Sequence, residues 1–373
     1  MDGVKALNIP LIDLRAQYKE LKKEIDAAMR RVLDSGVYIG GPEVELLEKE
    51  IAALTGARFA ISVANGTDAL TLALEAAGIG AGDEVITTAF TFFATAEAIV
   101  RVGAIPVYAD IDTATFNLNP DDVEAKVTPR TKALLPVHIF GQPADMDALQ
   151  SIAERHNLLI IEDACQAIGA AFKGRPVGAI GDIGCISFFP TKNLGGYGDG
   201  GIVVTNNEAI ADRIRLLCHH GSRRKYFHEE VGYNSRLDPL QAAALRVKLG
   251  KLHEWNERRR EAAAYYRQGL DGLPLELPAD PHDSRHVYHL FVALTKDRDR
   301  LAVQLKRHGI STGHYYPCPL HLQQAMRAFG MKRGDLPVTE RICDLSFALP
   351  MSPHLTREQQ DYIADKLRRY ARR

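Results

Sequence analysis

Nowhere does this 373-residue chain run about 18 apolar residues without interruption, so no membrane-spanning helix is expected. Its opening segment, MDGVKALNIPLIDLRAQYKE, has neither a continuous apolar core nor a small-residue cleavage site, and no signal peptide is expected. Cysteine is scarce. Cys165, Cys185, Cys218, Cys318 and Cys343 form no CxxC pair, and an odd number makes a poor disulfide framework. Reduced thiols and a cytoplasmic enzyme are the expectation. Charge of one sign is missing as well: 46 Lys plus Arg stand against 47 Asp plus Glu. With a net charge of -1, no overall field favours nucleic acid or an anionic membrane, so any anionic ligand must be met by a local cluster. No HExxH occurs, and His286 and His289, three apart in an expected strand, make a poor zinc pair, so no metal is expected. The GxxxxGK[ST] string is absent too, and the glycines do not follow a strand as GxGxxG, which removes the P-loop and leaves a dinucleotide site poorly supported.

What is present reads as a soluble two-domain protein: 46% hydrophobic and 25% charged residues, on a chain too long for one simple core. Leu14, Tyr18, Leu21, Ile25, Met29 and Val32 recur at helical spacing, and Ser35-Gly36 supplies a stop. A second helix runs from about Glu43 to Leu54, with Pro42 at its first turn. Apolar runs at 60–64, 85–89, 105–110, 133–139, 158–164, 185–189 and 201–205 then read as strands. Amphipathic stretches at 67–78, 92–103 and 144–157 read as the helices between them. Such alternation predicts a mainly parallel sheet covered on both faces. The pair at 185–205 leaves no room for a crossover helix, so one of its strands should run antiparallel to its neighbour. Beyond residue 206 come a helix (208–218), a basic irregular segment (221–236) and a long helix (about 239–268). A strand near 286–294 and helices near 298–308 and 357–370 complete the expected pattern. The reading is an α/β fold, with a large mixed, mainly parallel seven-stranded sheet domain over 1–245 and a smaller α+β domain over 246–373.

In open α/β sheets, ligands bind beyond the carboxyl ends of the strands. Four features fall there. At Val63-Ala64-Asn65-Gly66-Thr67-Asp68 a strand turns through glycine into a helix whose exposed N–H groups can hold an anion. An ordinary helix cap would look the same. Asp163 ends the most apolar strand, where a carboxylate is costly unless paired, although a cap for the next turn is the plainer role. Phe90-Thr91-Phe92-Phe93 offers a flat face for a ring, with at least one of these aromatics belonging to the core. Finally, Lys192 in Ser187-Phe188-Phe189-Pro190-Thr191-Lys192-Asn193 stands between a buried strand and the Gly-rich loop to Gly201. A lysine desolvated there has a lowered amine pKa and an exposed nucleophile. Lysine for an aldehyde, acid for a ring nitrogen, aromatic face and phosphate cup together suit pyridoxal 5'-phosphate.

On these motifs the chain resembles the DegT/DnrJ/EryC1/StrS family of nucleotide-sugar aminotransferases, which have the aspartate aminotransferase-like fold (fold type I). The likeness runs from Tyr38-Ile39-Gly40-Gly41-Pro42-Glu43 to Leu349-Pro350 and includes Glu162-Asp163-Ala164-Cys165-Gln166 and Gly232-Tyr233-Asn234-Ser235-Arg236. The resemblance implies that Lys192 is the Schiff-base lysine and that Asp163 pairs with the pyridine nitrogen. It implies further that Phe92 stacks on the ring, Gln166 lies near the phenolic oxygen, and Gly66, Thr67 and Ser187 bind the phosphate. Asn234 joins them from the neighbouring subunit of a homodimer with shared sites. Cys165 stands where the family often has alanine. The segments His314-Tyr315-Tyr316-Pro317 and Pro319-Leu320-His321 look like the family's sugar-facing region, so His314, Tyr315, His321 and Arg236 are candidate substrate contacts. The basic run Arg223-Arg224-Lys225 is a candidate for the substrate's diphosphate. The activity implied is amino transfer from glutamate to a nucleotide-linked keto-sugar, with a 3-keto sugar favoured. Two alternatives accompany it: a sugar dehydratase, whose family members carry histidine in place of the lysine, and a non-catalytic regulator of the same fold.

Overall fold

A computed structural model describes residues 8–279 and 283–371. Residues 1–7, which carry part of the reading of the chain's opening, lie outside the described residues. The strands are β1 (Phe59–Val63), β2 (Glu84–Thr88), β3 (Ile105–Ala109), β4 (Thr131–Leu135), β5 (Leu159–Asp163), β6 (Ala171–Phe172), β7 (Arg175–Pro176), β8 (Ile183–Ser187), β9 (Gly201–Thr205), β10 (Ser284–Arg285), β11 (Phe291–Leu294) and β12 (Ser346–Leu349). The α-helices are α1 (Leu14–Glu20), α2 (Lys22–Ser35), α3 (Pro42–Thr55), α4 (Gly66–Ala76), α5 (Ala94–Arg101), α6 (Pro120–Ala125), α7 (Met146–His156), α8 (Glu208–Cys218), α9 (Pro239–Gly269), α10 (Arg298–Arg307), α11 (Pro337–Leu345) and α12 (Arg357–Tyr370).

Seven strands form the main sheet in the order β1-β9-β8-β5-β4-β2-β3. Only β9 is reversed within it, pairing antiparallel with β1 and β8, as the missing crossover required. One face packs under α4, α5 and α8 through Leu70, Leu74, Ile99, Ile214 and Leu217. The other packs under α3 and α9 through Leu47, Ile51, Leu245 and Leu252, and under α7 through Leu149 and Ile152. This double cover explains why the central strands are apolar along their whole length. A separate C-terminal core joins Tyr266 of α9 to Phe291, Leu301, Leu305, Phe347, Ile363 and Leu367, with Ile9 returning to it from the chain's start. Among the described residues, no helix is long and apolar enough to cross a membrane.

Besides the short α6, β6, β7 and β10, which it did not include, the sequence reading differs from the structure as follows. The first expected helix is two, α1 and α2, meeting at Leu21. Leu21 is buried and keeps the apolar stripe in step, so the break leaves no mark on the periodicity. The strand expected near 286–294 is only Phe291–Leu294, since the Val287 N–H goes to the Gly141 carbonyl and the His286 and Tyr288 carbonyls accept from Arg260 and Arg259; Ser284–Arg285 pairs separately with β6 in a small sheet. And α11 with β12 is additional: β12 pairs antiparallel with β11 to form the small domain's two-stranded sheet.

Candidate active site

The carboxyl ends of β1, β2, β5 and β8 open on one cleft of about 870 Å³. It is lined by Gly66 and Thr67 from the start of α4, Thr91, Phe92 and Thr95 from the passage into α5, and Asp163, Cys165, Gln166, Ser187 and Lys192. Leu11, His289, Ser311, Tyr315 and Tyr316 also line it.

Each part is held by local chemistry. At α4 the Asn65 side chain accepts from the Asp68 N–H at 2.8 Å, which leaves the N–H groups of Gly66 and Thr67 for a ligand at the positive end of the helix. Gly66 is needed for closeness, since a Cβ there would stand 2.8 Å from Ser187 Cβ and 3.1 Å from Ser187 Oγ. The Ser187 hydroxyl accepts from the Phe189 N–H at 3.2 Å and gives its own proton to no described residue. Asp163 is buried, with Oδ2 accepting from Thr95 Oγ1 at 2.8 Å and Oδ1 from the Cys165 N–H at 3.2 Å. Gln166 accepts from the Phe140 N–H at 2.8 Å and donates to the Tyr316 hydroxyl at 2.9 Å, which leaves one amide N–H free. Phe92 is 60% exposed although it is aromatic, and the surface it exposes lines the cleft.

Burial lowers the pKa of Lys192 below the usual lysine range, against an upward pull from the charge of Asp163. A lysine with that amine more readily neutral is the nucleophile the sequence suggested. Burial, with Lys192 next in weight, holds His289 well below the usual histidine range, so its imidazole is neutral. The Cys165 thiol is pushed well up, first by burial and then by Asp163, and is no thiolate.

Of the residues singled out from sequence, Gly66, Thr67, Phe92, Asp163, Gln166, Ser187, Lys192 and Tyr315 meet in this one cleft. Seven do not line it: Arg223, Arg224, Lys225, Asn234, Arg236, His314 and His321. Asn234 is exposed and accepts from Arg236 Nη2 at 2.7 Å. His314 is half-buried, 3.8 Å from Asp299. His321 has a fully buried side chain, with Nε2 3.1 Å from Glu340 Oε1, so the direct contact expected of it is not what the fold presents: its ring is committed to the core. Sequence reasoning passed over Thr95, Tyr316 and His289 as site residues. For Tyr316 the signal was at hand, since it adjoins Tyr315 in the same motif.

The DegT/DnrJ/EryC1/StrS aminotransferase family model matches residues 19–368. The chain belongs to this family. It is 49% identical to a pleiotropic regulatory protein of Geobacillus stearothermophilus, over 98% of this chain and 99% of that one. It is 48% identical to the dTDP-3-amino-3,4,6-trideoxy-alpha-D-glucose transaminase of Streptomyces venezuelae, over 98% of this chain and 97% of that one. The crystal structure of S. venezuelae DesV in complex with a ketimine intermediate superposes with a TM-score of 0.96 at 47% identity, covering 98% of this chain and 99% of that one. The fold is therefore that of the pyridoxal-phosphate aminotransferases, and this family member is an aminotransferase using that cofactor. The site fits it. A lysine with a lowered pKa, a buried carboxylate with a lone pair to spare, an exposed aromatic face and a helix start whose Gly66 lies too close to Ser187 for a Cβ share one cleft.

Proposed function

We propose that this aminotransferase moves an amino group from glutamate to a nucleotide-linked sugar with its keto group at C3, working as a cytoplasmic homodimer. The observation that carries the reading is Lys192 and Asp163 in one cleft with Ser187 and the Gly66-Thr67 start of α4 beside them. Relatives named for 3-amino or 3-oxo sugars support the position on the sugar, among them the Streptomyces venezuelae transaminase. Bound pyridoxal phosphate supplies an electron sink that makes a Cα–H bond easier to break. The chain supplies the rest. Lys192 would anchor the cofactor aldehyde and, once released, would carry a proton between the substrate Cα and the cofactor's C4′. Asp163 holds a proton on the ring nitrogen, Phe92 packs the ring face, and the free amide N–H of Gln166 meets the phenolic oxygen. Gly66, Thr67 and Ser187 hold the phosphate, joined by Asn234 of the partner subunit.

The dimer is supported by Asn234 lying outside its own cleft, on a segment that exposes Tyr226 at 81%, Phe227 at 61% and Val231 at 90%. Solvent-facing apolar surface of that kind marks a protein contact. Arg236 and the Arg223-Arg224-Lys225 run on the same segment would, in this reading, meet the sugar's diphosphate across that contact. In this reading Tyr315, which lines the cleft, and His314 beside it in the chain would face the sugar. We divide the two units near residue 245 within α9, although Leu252 still packs with the large sheet and only Ala262, Ala263 and Tyr266 join the C-terminal core.

The test is a panel of nucleotide-linked 3-keto and 4-keto sugars with glutamate, read by mass spectrometry. A 3-amino product is expected. A clean 4-amino product overturns the position. The regulatory reading, which the Geobacillus relative's name favours, requires no amino product from any sugar and no visible absorbance of bound cofactor in the purified protein.

A further inference from the structure

Thr91 and Thr95 stand about one helical turn apart where the chain passes from β2 into α5, each 1% exposed. Their hydroxyls do not serve the helix in the way buried threonines usually do. The N-cap of α5 is Phe93, which makes no side-chain capping bond. Instead Thr95 Oγ1 reaches Asp163 Oδ2 at 2.8 Å, and the two threonine oxygens lie 3.0 Å apart. A hydroxyl has one proton, and an ionised carboxylate only accepts. Thr95 must therefore give its proton to Asp163, and in the contact with Thr91 it can only accept. The direction of the chain is fixed, from Thr91 through Thr95 to Asp163.

We propose that Thr95, polarised by Thr91, is a positioning residue that keeps Asp163 ionised and aimed, so that the ring proton stays on the pyridine nitrogen of the bound cofactor. This rests on the reading that Asp163 faces that nitrogen. A donor to the charged form of a carboxylate favours that form. Moving the ring proton onto Asp163 would set a neutral acid against the Thr95 and Cys165 donors, which are better matched to an anion. In a buried chain each hydroxyl also strengthens the next, so Thr91 acts on Asp163 without touching it.

The experiment uses holoenzyme reconstituted with cofactor carrying nitrogen-15 in the ring, whose NMR shift reports protonation of that nitrogen. Thr95→Val keeps the side-chain shape and removes the donor. It should move the signal toward the unprotonated value and slow single-turnover amino transfer from glutamate by roughly 10- to 100-fold, the range expected for a hydrogen bond to a charged group. Thr95→Ser should restore both. Thr91→Val should shift the signal the same way by less, and it provides the measurement if Thr95→Val does not fold. A wild-type nitrogen signal in Thr95→Val or Thr91→Val, even with a lowered melting temperature, would mean a structural role alone and overturn the proposal. Asp163→Asn separates the two levels of the argument. If it too leaves the signal unmoved, the assignment of Asp163 to the ring nitrogen fails along with the inference; if it moves the signal and the threonine variants do not, only the inference fails.

Discussion

Adding one methyl group at Gly66 tests the phosphate cup directly. The backbone at Gly66 is not left-handed, so alanine meets no conformational penalty there, and the effect comes from contact alone. The new Cβ would lie 2.8 Å from Ser187 Cβ, 3.1 Å from Ser187 Oγ and 3.2 Å from Cys165 Sγ. Ser187 Cβ hangs directly from β8, which is hydrogen-bonded in the sheet, so it cannot swing aside as a long side chain would. The start of α4 must move, taking the Gly66 and Thr67 N–H groups with it, or Ser187 must turn its hydroxyl out of the cup. Overpacking of this kind costs about 1–3 kcal/mol. Spent on ligand affinity, that is roughly 5- to 150-fold in Kd. Titration of Gly66→Ala apoprotein with pyridoxal phosphate, followed by the absorbance of bound cofactor, should show a loss in this range. Thermal unfolding of the same apoprotein measures how much of the strain falls on the fold instead. Unchanged affinity together with unchanged stability would refute the steric reasoning, and wild-type affinity with lowered stability would move the phosphate away from Gly66.

Lys192→Ala should abolish turnover while leaving circular dichroism unchanged, because one residue is both anchor and proton carrier, a pair of roles typically worth several kcal/mol of transition-state stabilisation. Mixing Lys192→Ala with Asn234→Asp, each weak alone, should restore activity once subunits exchange. One hybrid site then holds an intact Lys192 and an intact Asn234, and no regain with exchange confirmed by native mass spectrometry would place the whole site within one chain. Gly250→Ala lies in the interior of α9 on an exposed face with open space around its Cβ, and should stabilise the protein by about 1 kcal/mol, read as a raised melting temperature.

Much of the large domain was legible because its strands are short apolar runs and its crossover helices are amphipathic, two signals that local sequence carries by itself. The reversal of β9 was readable from spacing. What escaped was structure whose cause is not local. The four-residue β12 follows α11 directly, from Leu345 to Ser346, with no polar turn to announce it. The site shows the same division. Lys192, Asp163 and Gly66 stand beside recognisable turns, whereas Thr95 acquires its role only when β2 and β5 are brought together in the sheet, since its partner is 68 residues away. His321 is the reverse case: its motif suggested a surface facing the sugar, but Glu340, on a helix the sequence reading did not include, draws it into the core.

The reversed strand β9 has a consequence for how the site sets its dimensions. Ser187 and Gly201 are partners in the β8–β9 register, so the loop carrying Lys192 leaves and re-enters the sheet at one pair of residues. Gly201 in turn sits against the backbone of Asn65, so close that a Cβ would lie 2.5 Å from its carbonyl carbon and oxygen. The cup and the root of the lysine loop therefore touch main chain to main chain, with no adjustable side chain between them. If the cofactor sits as proposed, the span from phosphate to amine is a built-in gauge, and a released Lys192 would range only as far as its own four methylenes allow. A cofactor analogue with a longer or shorter phosphate arm would meet a frame that cannot be reset by rotamer changes.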